Sequence, residues 1–120
     1  MGEEVGLAIR AARGNQAIVV EEILTKEQFP DFSLARITIN GDNDRVLQEV
    51  SGALYIMVSG DEIEFTVKEE NQRERVVTLK PGNQIFIPKG SWYQDRGKGI
   101  MYSICSPAFD AGKVRVAGVE

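Results

Sequence analysis

From Ala17 onward the chain is cut into short β-type runs by turn residues, and no stretch carries the ~3.6-residue apolar period of a helix. Ala17–Leu24 comes first and gives way to Pro30-Asp31; Ser33–Ile39 alternates and ends at Asn40-Gly41-Asp42; Arg45–Glu49 follows. Ala53–Val58 runs into Ser59-Gly60-Asp61, and Glu62–Val67 alternates cleanly beyond it. Those two runs are expected to fold back on each other as a hairpin across Gly60-Asp61. Val76–Leu79, Gln84–Ile87, Gly99–Cys105 and Lys113–Val116 supply further strands, with the charged stretch Lys68–Arg75 as a solvated loop tip. Near the N-terminus Val5, Leu7 and Ile9 alternate before a turn over Arg10–Asn15. Many short strands at roughly 8–12-residue spacing indicate one all-β domain over residues 1–120, an antiparallel sandwich or barrel.

Composition removes several classes of function. A net charge of -4 disfavours nucleic acid, whose phosphates need a basic surface. No apolar run approaches the ~20 residues of a membrane span, and Met1-Gly-Glu-Glu lacks the basic-then-apolar order of a signal peptide. The lone Cys105 cannot form an internal disulfide, which fits a reducing cytoplasm. Within Tyr102–Ser106 it reads as a small buried hydrophobe, and the complete absence of histidine leaves it no usual activating partner.

The segment Gly82-Asn-Gln-Ile-Phe-Ile-Pro88-Lys-Gly90-Ser-Trp-Tyr93 holds the most information about a site. Pro81-Gly82 turns into a strand, Ile85 and Ile87 share one face of it, Pro88 ends it, and Gly90 turns the chain before Trp92 and Tyr93. This spacing resembles the second motif of the cupin superfamily, with Tyr93 in the histidine place. Gly41 and Gly60 fit the first motif with its shorter spacer, which sets Leu47 and Glu49 at its two histidine places and Ala53 at its glutamate place. The resemblance spans about residues 33–109, including Ser106-Pro-Ala-Phe109. It implies a cupin-like jelly-roll barrel, or double-stranded β-helix, of antiparallel strands. In typical cupins these four places hold a divalent ion; Leu47 and Ala53 offer no lone pair, so no metal site and no cofactor is expected.

The resemblance places the motif positions inside the barrel, and alternation assigns their neighbours. Leu47, Glu49, Ala53, Tyr55, Met57 and Tyr93 then face in, with Asp95 following toward the rim, while Gln48 and Arg36 face the other way. Leu54, Ile56 and Val58 point outward as an apolar row, which a second subunit would cover, so a homodimer is expected. A ligand pocket is expected among Leu47, Glu49, Tyr55, Met57, Trp92 and Tyr93. Trp92 has two further readings, packing over the barrel end or sitting in a subunit interface.

Three functions fit these residues. The leading one is a metal-free barrel that binds a small organic ligand. The alternative is a metal-independent isomerase, epimerase or lyase with Glu49 as base and Tyr93 as acid, although Glu49 also suits a ligand contact or a Glu–Tyr hydrogen bond. The third is an assembly partner whose barrel is merely packed.

Overall fold

The computed structural model describes residues 8–10 and 17–118. Of the N-terminal alternation only Ile9 falls inside them, in the short strand β1 (Ala8–Arg10); Val5, Leu7 and all but Arg10 of the turn over Arg10–Asn15 lie outside. Strands β2 (Ile18–Leu24), β3 (Ser33–Asp42) and β4 (Val46–Gln48) precede the long β5 (Gly52–Lys68). Then come β6 (Arg75–Leu79), β7 (Gln84–Ile87), the long β8 (Trp92–Ser106), a 3-10 turn at Ala111–Lys113 and β9 (Val114–Val116). All pairings between them are antiparallel, in the path β1-β2-β3-β8-β4-β9 with β5 joining β8 to β6 and β7. The sheet curls into the expected all-β barrel.

The hairpin expected at Gly60-Asp61 does not form. β5 continues through that point and pairs with β8 from Gly52 opposite Ser106 to Lys68 opposite Trp92, slipping register near Ser59 and Asp61. The positive φ of Gly60 (111°) serves a bulge, so the strand bends where a hairpin would reverse it. The two backbones pass very close there: a Cβ on Gly60 would lie 2.3 Å from the Gly99 Cα, and one on Gly97 2.2 Å from the Glu62 carbonyl oxygen.

Beyond the bend the barrel is solid. Alternation along β5 buries Ile63, Phe65 and Val67 against Met57, Leu79, Ile87 and Met101. Phe65 packs on Tyr55 and Tyr93, with ring centroids 5.1 and 6.4 Å away, at the boundary of this filled half. The other half, walled by β2, β3, β4 and β9, holds an open cavity. An interior packed throughout is therefore not what this chain builds.

Candidate functional site

The register of β4 decides which side chains enter the cavity. Val46 lies opposite Tyr93 on β8 and Val116 on β9; Leu47 lies opposite Trp92 and Arg115; Gln48 lies opposite Val114. Val46, Gln48, Tyr93, Val114 and Val116 line the cavity. Leu47 and Trp92 therefore share the other face, where Leu47 is buried and Trp92 half-buried. Glu49, past the end of β4, is exposed and accepts a hydrogen bond from Arg115 Nε at 2.8 Å.

The inward places expected for Leu47 and Glu49 are thus corrected by one residue, and a one-residue shift along a strand exchanges its faces. Met57 and Ala53 do face inward, but both belong to the packed core and neither lines the cavity. Of the six expected pocket residues, Tyr55 and Tyr93 are the two that the cavity brings together.

The cavity has a volume of about 600 Å³. Ile18, Val20, Ile37, Val114 and Val116 make apolar walls, and Ser33, Ser103 and Cys105 contribute small polar atoms. At its floor the Tyr55 and Tyr93 hydroxyls are 2.7 Å apart. Gln48 Nε2 donates to Tyr93 Oη at 3.0 Å and to Cys105 Sγ at 3.8 Å. Burial raises both phenols above their ordinary range, and for Tyr93 the hydrogen bonds shared with Tyr55 and Gln48 only partly oppose it. Burial likewise pushes the Cys105 thiol up. The floor is therefore an uncharged chain of hydrogen-bonding groups at neutral pH.

Asp95, two residues beyond Tyr93 on the same face, lies deep inside and not at a rim: its exposure is 2%. Its carboxylate accepts from Asn43 Nδ2 at 2.9 Å, the Asp95 carbonyl accepts from the Asn43 amide at 3.0 Å, and Gln94 Nε2 donates to the Asn43 carbonyl at 2.8 Å. These bonds pin Asn43 and Asp44 against the cavity, which both residues line. Burial pushes the Asp95 carboxyl up to about 6, with the Asn43 bond opposing.

Sequence reasoning missed Gln48 because the motif spacing, counted from glycines, set the register. Counting from Val46, which alternates as Val114 and Val116 do, places Gln48 inward. It also passed over Glu22, which continues the alternation Ile18, Val20 along β2 and lines the cavity.

The curled antiparallel barrel is cupin-like in fold. No family model matches the chain, and no curated protein matches it by sequence. Among solved structures it is similar to Pac13 of Streptomyces, a nucleoside dehydratase, with a TM-score of 0.76 at 19% identity over 98% of this chain and 88% of Pac13. A histidine-to-glutamine variant of Pac13 with uridine gives a TM-score of 0.78 at 18% identity over 98% and 88%. Oxalate decarboxylase of Bacillus subtilis aligns with a TM-score of 0.73 at 13% identity, covering 86% of this chain and 28% of its own. At such identities the likeness is one of fold.

The divalent ion associated with this fold does not fit these donors. Among the described residues no group of three His, Cys, Asp or Glu side chains converges. The cavity floor offers one amide, two phenols and a thiol, and burial disfavours the deprotonation that phenol or thiol ligation requires.

Proposed function

We propose that this protein binds a small uncharged organic molecule of the nucleoside class in the hollow half of the barrel, without a transition metal. The observation that carries this reading is the buried Gln48–Tyr93–Tyr55 chain at the floor of a cavity of about 600 Å³. That volume lies within the range usual for small-molecule sites, with apolar walls for a flat ring and a few convergent polar groups for its edge. Pac13, a nucleoside dehydratase that also binds uridine in its solved variants, supports the class of ligand. A free thiol and the absence of an internal disulfide suit a reducing compartment such as the cytoplasm. No helix among the described residues is long and apolar enough to cross a membrane.

Isothermal titration with uridine tests the reading. Saturable binding is expected, and Tyr55→Phe, which removes one buried hydroxyl, is expected to weaken it about tenfold. Elemental analysis of the same sample is expected to give well under one transition metal per chain. If uridine and other nucleosides leave both the heat signal and the melting temperature unmoved at millimolar concentration, the nucleoside reading is lost.

A metal-independent lyase is the second reading, favoured by the two phenols, which stay protonated at neutral pH and so serve as acids. Glu49 is not its base, because it is outside the cavity. Mass spectrometry of the same nucleoside incubations, in EDTA, reads this directly as loss of one water.

The partner proposed for the outer face is a second copy of the chain. Phe86, Leu54, Ile104 and Leu34 are successive neighbours across β7, β5, β8 and β3, and Phe86 is 57% exposed. Light scattering is expected to give the mass of a dimer at micromolar concentration, and a monomer throughout that range removes the proposal.

A further inference from the structure

We propose that Glu22 selects the occupant of the cavity, accepting hydrogen bonds from the cis-diol of an unphosphorylated ribonucleoside and turning nucleotides away. This rests on the nucleoside reading above and adds the ligand's second end. The pairing of strands sets Glu22 opposite Ala35, Ala35 opposite Ser103, and Ser103 opposite Tyr55. All four line the cavity, so they form one inward row running from Glu22 to the tyrosine floor. Three strand spacings separate the two ends, at most about 14 Å along the sheet. The side chains at both ends reach in from there, leaving space for one ligand with two recognised ends.

Glu22 is half-buried, on a strand whose other inward residues are Ile18 and Val20. Among the described residues, no cation and no hydrogen-bond donor meets its carboxylate. A carboxylate that lines a cavity has acceptor capacity to offer a donor that a ligand supplies. An ionised carboxylate accepts only, with two oxygens side by side. Two vicinal hydroxyls are the matching donors, as in the acidic residues that read ribose in dinucleotide sites.

The charges around the cavity point the same way. Among the described residues, Glu22, Glu27, Asp44 and Asp110 line it with a single ammonium, that of Lys26, which is paired with Asp110 at 3.2 Å. A phosphate entering there meets carboxylates and finds its cation engaged, whereas a neutral nucleoside meets no such barrier.

Calorimetric titration with uridine, 2′-deoxyuridine and uridine 5′-monophosphate, on the wild type and on Glu22→Gln, separates the possibilities. The wild type is expected to bind uridine about tenfold more tightly than 2′-deoxyuridine, and the monophosphate about a hundredfold more weakly than uridine. In Glu22→Gln uridine is expected to fall to the level of 2′-deoxyuridine, and the penalty on the monophosphate to shrink. Equal binding of all three ligands by the wild type, or a folded Glu22→Gln that keeps the full preference for the diol, overturns the role of Glu22 and leaves the cavity as a nucleoside site. No binding of any of the three overturns the nucleoside reading itself. If the variant does not fold, the three wild-type affinities decide the matter alone.

Discussion

Gly97→Val is expected to abolish cooperative folding. The Cβ it adds would sit 2.2 Å from the Glu62 carbonyl oxygen and 2.9 Å from the Ile63 Cα, and these are backbone atoms of the paired strand, so no side chain can rotate to make room. The residue also has φ +139°, a region that side chains rarely adopt. Strain of this kind alone costs about 1–3 kcal/mol, and the overlap adds to it by forcing β5 and β8 apart at this point. Against a total stability of about 5–15 kcal/mol the sum is decisive. Gly82→Ala supplies the contrast: its φ is +96°, yet nothing lies within 4 Å of the added Cβ. Only the conformational cost applies there, about 1–2 kcal/mol, and a normal melt at a lower temperature is expected. Circular dichroism on both variants reads the difference. A Gly97→Val melt within a few degrees of the wild type would show that the strands do not meet as described.

The protein is expected to melt higher at pH 5 than at pH 7.5, because of Asp95. Burial raises its carboxyl from 3.8 to about 6, so the native state holds this proton more tightly than the unfolded chain. The resulting stabilisation is fully present below the unfolded value and is lost as pH rises through about 6. Across its whole range it amounts to about 3 kcal/mol, of which roughly half separates pH 5 from pH 7.5. That corresponds to a shift of about 5 °C for a domain of this size. Asp110 is shifted the opposite way by its bonds to Gly112 and Lys26, and its contribution is lost only at more acid pH, outside this window. Asp95→Asn keeps an acceptor for Asn43 and removes the charge. It is expected to flatten the difference between the two pH values and to melt above the wild type at pH 7.5. An unchanged pH dependence in this variant would show that another group is responsible.

Much of this was legible residue by residue. The four glycines of the motif frame, Gly41, Gly60, Gly82 and Gly90, all have positive φ, a property of a single residue that its type announces. Tyr55 and Tyr93 face inward, as the motif resemblance and the alternation counted from it place them, and both are buried. Glu49 and Gln48 exchanged roles because β4 spans only Val46–Gln48, too short for its own pattern to set its register. The Gly60-Asp61 step carries the same local signal for a hairpin turn and for a bulge, and β8 alongside it makes the second choice.

The strands, their turns and the faces of the longer runs follow from short-range preferences, so they stand in the order of the residues. The side of β4 that enters the cavity and the bend at Gly60 depend on partners far along the chain: Tyr93, Val114 and Val116 for the first, Gly97 and Gly99 for the second. Glu22 belongs to this second kind as well. Its inward place is written in β2, but its position across the barrel from Tyr55 exists only once β3 and β8 lie between them. Pairing energies between distant strands settle such matters, and no local pattern contains them.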